Sequence, residues 1–223
     1  SKKPFVFHFK DNVHFKNKAS YIDSFTGGIN FDAKLSETAQ VWYGGVWKRG
    51  SFFGDWKSGR FCSGSFSGTW NDGVWEDGKW NGGTWYNGEW RGGVWGSGSW
   101  HGGRWKTGEW RSGMWYCGTW LGGVWNFGTW SSGVWKSGAW HHGTWLSGTW
   151  NGGAWKEGTW KSGVWLDGDW LGGDWEGGEW RGGTWHGGTW KGGTWHGGTW
   201  KGGTWVQGTW VYGTVYDQNL EAL

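Results

Sequence analysis

The most regular feature of the chain is the spacing of its tryptophans. From Trp70 to Trp210 every fifth residue is tryptophan, and a glycine follows each one three residues later. A five-residue period drifts around an α-helix, and each glycine costs a helix about 1 kcal/mol relative to alanine. In a straight strand, side chains five residues apart point to opposite faces. The pattern therefore predicts an all-β chain that bends once in every repeat, a β-solenoid (β-helix) of five-residue repeats.

The polar residues of this array occupy the other positions of each repeat. Charged residues such as Glu89, Arg91 and Lys106 lie one residue before, or one or two after, a tryptophan, and none occupies a tryptophan or glycine position. We expect an internal tryptophan stack, room for the indoles at each glycine, and a carbonyl partner in the same or next coil for each indole N–H. The predicted structural core includes Trp70, Trp75, Trp80, Trp85, Trp90, Trp95 and Trp100 with Gly73, Gly78, Gly83, Gly88 and Gly93.

Three regions differ in composition. Residues 1–40 lack the repeat and are interpreted as an N-terminal β cap or attachment region, residues 41–215 as the solenoid, and residues 216–223 as a C-terminal tail or cap. The apolar runs Phe5 to Phe9 and Val13 to Phe15 predict a short hairpin. Atypical ends suit a repeat array, because an open edge strand recruits other chains. The expected attachment residues are Phe5, Phe7, Phe9 and Phe15.

The repeat resembles that of the pentapeptide-repeat family, whose units carry a small residue two positions before a leucine or phenylalanine. Gly83 precedes Trp85 and Gly193 precedes Trp195 in the same way, whereas the family's Asp or Asn directly before the large residue is mostly absent. In spacing the resemblance extends from residue 42 to residue 215. It implies a four-sided, right-handed β-helix.

The number of sides also follows from the volume available inside a coil. A four-sided coil encloses about 1300 Å³, enough for four indoles and the inner backbone, whereas a three-sided coil encloses about 570 Å³ for contents of about 950 Å³. Valines precede tryptophan only in alternate repeats, which also indicates an even number of sides per coil; they are Val74, Val94, Val124, Val134 and Val164. Against this, stacking at fifteen residues pairs Glu89 with Arg104 and Glu176 with Lys191, and two one-residue deletions near residues 52 and 66 lie one coil apart. The volumes favour four sides, and three sides is the alternative.

The bulk composition argues against several classes of protein. With 32 Trp, 51 Gly and one Pro, the chain lacks the three-residue period and the proline of collagen. A net charge of +3 from 21 basic and 18 acidic residues is too small to favour nucleic acid or membrane as partner. The chain shows no apolar leader or long apolar run, so we expect synthesis in the cytoplasm without a signal peptide. Cys62 and Cys117 are interpreted as free thiols.

No group of residues has the spacing of a catalytic, cofactor or metal site, so we expect a protein that is not an enzyme and binds no cofactor. His141 and His142 are interpreted as a solvated pair rather than metal ligands. The densest acidic stretch is interpreted as a charged surface rather than a calcium site; it comprises Asp167, Asp169, Asp174, Glu176 and Glu179. The most uniform outer residues are interpreted as strand-forming filler rather than a ligand-binding face; they are Thr184, Thr189, Thr194, Thr199, Thr204, Thr209 and Thr214.

Regularity without a pocket predicts a structural protein, a rigid repeat rod that serves as a spacer or attachment element of a larger assembly. Its expected partners are proteins that contact residues 1–40, and the prediction also allows the chain to form oligomers. Arrays of glycine and tryptophan are similar to repeats of uncharacterised tailed-bacteriophage proteins, which implies a virion component or fibre. The alternative is a carbohydrate-binding adhesin with outward aromatic rings and threonines, although so many exposed indoles would form a surface that soluble proteins avoid.

Overall fold

A computed structural model of the chain describes residues 6–8, 24–26, 32–34, 40–42, 44, 46–47 and 49–216. The described residues form short parallel strands joined by bends, and none of them is helical. They belong to two compact units, residues 1–113 and residues 114–223. The prediction of an all-β solenoid with a five-residue repeat is confirmed in each unit.

In the first unit the strands vary in length before they settle into two-residue segments. They are β1 Val6–His8, β2 Ser24–Thr26, β3 Asp32–Lys34, β4 Gln40–Trp42, β5 Val46–Trp47, β6 Arg49–Trp56, β7 Arg60–Phe61, β8 Ser65–Trp70, β9 Val74–Trp75, β10 Lys79–Trp85, β11 Glu89–Trp90, β12 Val94–Trp95, β13 Ser99–Trp100, β14 Arg104–Trp105 and β15 Glu109–Trp110.

In the second unit every strand consists of one core residue and the residue before it. The strands are β16 Met114–Trp115, β17 Thr119–Trp120, β18 Val124–Trp125, β19 Thr129–Trp130, β20 Val134–Trp135, β21 Ala139–Trp140, β22 Thr144–Trp145, β23 Thr149–Trp150, β24 Ala154–Trp155, β25 Thr159–Trp160, β26 Val164–Trp165, β27 Asp169–Trp170, β28 Asp174–Trp175, β29 Glu179–Trp180, β30 Thr184–Trp185, β31 Thr189–Trp190, β32 Thr194–Trp195, β33 Thr199–Trp200, β34 Thr204–Trp205, β35 Thr209–Trp210 and β36 Thr214–Val215.

Three parallel ladders run through the first unit, one for each side of the coil. Each ladder brings one large residue per coil to the axis, so a coil contributes three. The residues in register are Trp42, Trp56, Trp70, Trp85 and Trp100 in one ladder, Trp47, Phe61, Trp75, Trp90 and Trp105 in the second, and Phe52, Phe66, Trp80, Trp95 and Trp110 in the third.

The early coils of the first unit are one residue shorter than the later ones. The first deletion lies between Phe52 and Trp56, and there strand β6 continues through the corner without a break. The second deletion lies one coil later, and strand β8, which pairs with β6, also continues through its corner. β10 introduces the fifteen-residue coil through a register shift between Trp80 and Gly82 against β8. The two deletions therefore lie at the same corner of successive coils, as their spacing suggested.

The second unit has the same three ladders in a uniform fifteen-residue register. The core residues are Trp115, Trp130, Trp145, Trp160, Trp175, Trp190 and Trp205 in one ladder, Trp120, Trp135, Trp150, Trp165, Trp180, Trp195 and Trp210 in the second, and Trp125, Trp140, Trp155, Trp170, Trp185, Trp200 and Val215 in the third.

The predicted four-sided coil is wrong, because the coils of both units have three sides. The volume estimate treated each coil as a flat layer that holds only its own indoles. In the structure the rings lean into the following coil: the Nε1–H of Trp85 donates to the carbonyl of Gly102, 3.1 Å away. The Nε1 of Trp90 lies 3.3 Å from the position that a Cβ would take on Gly108. The indoles thus use space that the missing glycine side chains leave in the next layer.

The alternating valines are also compatible with three sides. A coil of fifteen residues contains three repeats, which is an odd number. A residue type that occurs in every second repeat therefore occurs in every second coil of a given ladder. Val134, Thr149 and Val164 follow each other in this way. The alternation therefore does not distinguish an even from an odd number of sides.

Two kinds of ring contact fill the axis. Between coils the rings are parallel, as in Trp145 and Trp160, whose centroids are 4.7 Å apart with 7° between planes. Within a coil they meet edge to face, as in Trp140 and Trp145 at 6.0 Å and 74°. Both arrangements are favourable for aromatic pairs. Every array tryptophan from Trp42 to Trp195 is completely buried, which places a continuous indole stack at the centre of each unit.

Main-chain hydrogen bonds connect each coil to the preceding one. In the second unit the N–H of Thr159 donates to the carbonyl of Gly143 (3.0 Å), and the N–H of Lys161 donates to the carbonyl of Trp145 (2.8 Å). The first unit repeats this pair of bonds, for example from Glu89 to the carbonyl of Gly73 (2.9 Å). Proline lacks the donor that these bonds need, which explains its absence from the array.

The glycine two residues before each tryptophan is required by its backbone conformation and by the neighbouring coil. Gly148 has a φ of +126°, a region that residues with a Cβ rarely adopt. A Cβ added there would lie 2.5 Å from the carbonyl oxygen of Gly133 and 3.2 Å from Cζ2 of Trp145. A Cβ on Gly83 would overlap the carbonyl oxygen of Gly68. These glycines leave room for the indoles, as expected, and also allow adjacent coils to approach each other.

The N-terminal strands continue the parallel winding. β1 pairs in parallel with β2, with Phe7 opposite Phe25, and β2 pairs with β4. This parallel partner differs from the antiparallel arm that a hairpin would supply. The expected second arm, Val13 to Phe15, lies outside the described residues.

Candidate functional site

The residues predicted as structural core lie inside the first unit. Trp70, Trp75, Trp80, Trp85, Trp90, Trp95 and Trp100 are completely buried, and Gly73, Gly78, Gly83, Gly88 and Gly93 all have positive φ. Indole N–H groups of the array donate at 3.1 Å to the carbonyl two residues beyond the tryptophan of the next coil in Trp75, Trp80, Trp85 and Trp160. The expectation of such a partner for each indole is wrong, because the buried Nε1 of Trp135 and of Trp165 has none among the described residues. Buried side chains of this kind offer no surface to a ligand, so a functional site has to be sought on the outside.

The expected attachment residues contribute little to the search. Phe5, Phe9 and Phe15 lie outside the described residues, and Phe7 is described only as part of strand β1. The attachment role of residues 1–40 stays a prediction.

Charged side chains form ladders on the outer surface of the first unit. The carboxylate of Glu89 lies 2.7 Å from Nε of Arg91 and 2.9 Å from Nζ of Lys106, and Arg91 also reaches Glu76 at 3.0 Å. Hydrogen bonds from Lys106 and then Arg91 hold the pKa of Glu89 below its usual range. In the ladder Glu89 faces Arg104, the pairing expected for fifteen-residue stacking. Exposed pairs of this kind contribute about 0–1 kcal/mol each.

Each member of the acidic stretch has a nearby donor in the second unit. The pairs are Asp167 with the N–H of Gly168 (2.7 Å), Asp169 with His186 (3.3 Å), Asp174 with Lys191 (3.0 Å), Glu176 with Lys161 (2.8 Å) and Glu179 with Arg181 (2.8 Å). Hydrogen bonding from Arg181 also lowers the pKa of Glu179. Within the described part of the chain, no group of three or more His, Cys, Asp or Glu side chains is placed to hold a metal ion.

The two adjacent histidines differ in environment. His142 is exposed, and its Nδ1 lies 3.6 Å from a carboxylate oxygen of Glu157. His141 is half-buried, and burial lowers its pKa, with smaller contributions from the positive charges of Lys156 and His142. Of the predicted solvated pair, His142 is therefore the more exposed member and His141 the less exposed one.

Cys62 is half-buried and Cys117 is exposed, and neither is part of a disulfide among the described residues. The described residues also contain no helix of the length and apolarity needed to cross a membrane.

The late threonines are divided among all three ladders of the second unit. The pairs in register are Thr184 with Thr199, Thr189 with Thr204, Thr194 with Thr209 and Thr199 with Thr214. They therefore do not form one continuous face.

The C-terminal end of the second unit exposes part of its core. Trp200, Trp205 and Trp210 are half-buried and Val215 is 63% exposed, and the four residues line an open apolar face. Residues 217–223, which follow, lie outside the described residues.

A different surface feature breaks the repeat pattern in the middle of the second unit. From residue 72 to residue 202, the position two after each tryptophan holds Gly, Ser, Asp, Asn, Thr or Cys except at Phe127, His142 and Glu157. These three larger residues are fifteen apart, the length of one coil. We call them the Phe127 corner.

The structure brings the Phe127 corner together. Trp125, Trp140 and Trp155 are in register in one ladder, so the residues two beyond them lie at one corner of three successive coils. They line an open groove of about 440 Å³ with Thr144, Thr159 and Asp174 of the adjoining side, and Gly143, Gly158 and Gly173 complete the lining. Phe127 is 61% exposed. This groove is the candidate functional site.

Sequence reasoning noticed His142 and Asp174 but not Phe127 or Glu157. The signal was present as three unusual residues at one repeat position, but it is recognisable only when the sequence is written in rows of fifteen. A four-sided winding would have placed the three residues on different sides of the coil.

No protein-family model matches the chain, and no curated protein matches it. The resemblances to pentapeptide-repeat proteins and to phage arrays stay predictions, and the functional argument rests on geometry.

Proposed function

We propose that this chain is a non-enzymatic structural protein that serves as a spacer or attachment element in a larger assembly, with a bacteriophage virion as the expected setting. The observation that supports the proposal is the indole stack. Completely buried rings follow each other at 4.7 Å through successive coils, and each coil is hydrogen-bonded to the last. Such a core resists bending and leaves its interior closed to substrates.

The surface chemistry agrees with a structural role. The ion pairs described above lie on the outside and neutralise each other locally, which favours solubility without a strong field for nucleic acid. A carbohydrate-binding adhesin with a ladder of outward indoles is wrong, because the array indoles are buried.

The proposed attachment is tested on the full-length chain by replacing Phe5, Phe7, Phe9 and Phe15 with serine. If residues 1–40 hold the protein in its assembly, the wild-type chain co-sediments with particles from the cells that produce it, and the variant stays in the soluble fraction. A matched control replaces the exposed apolar residues Val206, Val211 and Tyr212 of the array with serine and should keep co-sedimenting.

Two results would contradict the proposal. If the wild-type chain never co-sediments with particles, the result argues against a role in a larger assembly. If the serine variant co-sediments to the same extent as the wild type, the four phenylalanines are not the attachment residues.

A further inference from the structure

The Phe127 corner combines an aromatic surface with polar groups in one groove. Phe127 presents a largely exposed ring at a position where other repeats carry small turn residues. Phe127 buries less than half of its surface, so it contributes less to the stability of the coil than a core ring does. An exposed aromatic ring beside hydrogen-bonding groups is typical of a ligand site.

The polar side of the groove consists of hydroxyl and carboxylate groups in successive coils. Thr144, Thr159 and Asp174 follow each other in register along one ladder. Glu157 lies opposite them on the corner, next to His142. Together these side chains supply both donors and acceptors along the groove.

A lysine beside the groove compensates one of its two carboxylates. The carboxylate of Asp174 lies 3.0 Å from Nζ of Lys191, and that of Glu157 lies 3.6 Å from the imidazole of His142. The two carboxylates disfavour an anionic ligand, and Lys191 reduces the attraction for a cation. The groove therefore suits a neutral, polar ligand.

The main chain of the groove cannot accept a peptide as an added strand. The N–H groups of Thr144, Thr159 and Asp174 already donate to glycine carbonyls of the preceding coil at 2.9–3.0 Å. Peptide binding by strand addition needs free main-chain groups at a sheet edge. Recognition at this site must come from side chains.

We propose that the Phe127 corner is a binding site for a neutral carbohydrate. A pyranose ring has an apolar C–H face that packs on an aromatic ring and a rim of hydroxyl groups that both donate and accept hydrogen bonds. Phe127 provides the ring, Glu157 and Asp174 accept from sugar hydroxyls, and Thr144, Thr159 and His142 complete the hydrogen bonding. The open groove crosses several coils and so accommodates an oligosaccharide rather than a single enclosed sugar.

The test starts with the full-length protein on an array of neutral and anionic glycans, followed by titration calorimetry with the best neutral oligosaccharide. Phe127→Ser and Glu157→Gln should each weaken binding at least tenfold. Serine occupies the same repeat position at Ser132, Ser137 and Ser147, so the first variant should fold normally. Unchanged thermal unfolding, followed by tryptophan fluorescence, checks this for both variants.

Two further variants serve as matched controls. Phe127→Tyr keeps an aromatic ring and should retain binding within about threefold. Tyr86→Ser removes a comparably exposed ring in the first unit and should leave binding unchanged.

Several results would overturn the proposal. Failure of every neutral glycan to bind at millimolar concentration is one, and binding of anionic glycans alone is another. Neutral-glycan binding that survives both Phe127→Ser and Glu157→Gln would place the site elsewhere. None of these results bears on co-sedimentation with an assembly, so the structural role is judged separately.

Discussion

The first and last coils of the array carry similar core residues in different surroundings. Trp42 and Trp47 in the first coil are completely buried, whereas Trp205 and Trp210 in the last are half-buried and Val215 is mostly exposed. Strands β2 and β3 pair with β4 and β6 of the early coils. Among the described strands, none pairs with the far side of the last coil. Burial of Trp42 therefore goes with a paired strand on each side of β4, whereas the strands of Trp205 and Trp210 have a described partner on one side.

This difference shows where the stability of the array comes from. Burying one indole is worth about 5 kcal/mol, and ordering the five residues of its repeat costs about 7 kcal/mol. A single repeat is unstable, and each coil depends on contacts with its neighbours. Stability should therefore be a sum of coil–coil interfaces, with the end coil losing one of them.

The largest effect is expected from a core glycine of an inner coil. Gly148→Ala places a Cβ against the carbonyl of Gly133 at a positive φ, so it should lower the free energy of unfolding by about 3–6 kcal/mol. Gly152→Ala is the matched control, because its nearest atoms are 3.9 Å away, and should change stability by less than about 0.5 kcal/mol. Guanidinium denaturation followed by fluorescence measures both, and equal effects would contradict the explanation.

Truncation of an inner indole should cost more than truncation at the end. Trp155 is completely buried between Trp140 and Trp170, so Trp155→Ala should destabilise by about 3–5 kcal/mol. Trp210 is stacked on one side only, and Trp210→Ala should cost less than half as much. Denaturation midpoints compare the two. A similar loss for both would show that the last coil is covered in solution.

The ion pairs of the inner coils should have a smaller effect. Glu89→Gln removes the partner of Arg91 and Lys106, and we expect a loss of about 1 kcal/mol or less. Since the pKa of Glu89 is lowered in the folded state, this contribution is present above the unfolded pKa and is lost as the pH falls through the folded one. Denaturation at pH 7 and at pH 3 should show a smaller difference between variant and wild type at pH 3 than at pH 7.

The smallest expected effect on stability comes from His141, a half-buried residue of an inner coil whose pKa is lowered. The unfolded chain binds a proton more readily than the folded one, so stability is full above the ordinary value of 6.5 and falls as the pH drops below it. His141→Gln should flatten this dependence between pH 7 and pH 5. Thermal unfolding at the two values measures it, and an unchanged slope in the variant would assign the dependence to another group.

The fold class was predictable because local chemistry repeats so regularly. Trp and Gly positions, the outward charges and the absence of proline each correspond to a feature of the coil. The pairing of Glu89 with Arg104 and the spacing of the two deletions also indicated three sides correctly, although the volume estimate outweighed them. That estimate failed because indole tilt between layers is a property of the packed core.

The candidate site was less predictable than the fold. His142 and Asp174 attracted attention as single residues, but the groove depends on Phe127 and Glu157 as well. Residues fifteen apart become neighbours only through the number of sides per coil. An error of one side therefore hides the site even when the solenoid itself is predicted correctly.

The sequence by itself determined a bent, all-β repeat with tryptophan inside and charge outside, because steric limits on glycine and the burial of indoles act within each repeat. Only the tertiary structure decided the three-sided winding and brought Phe127, His142 and Glu157 together at one corner. The reason is that coil size follows from how the rings stack between layers, an interaction between residues far apart in the chain.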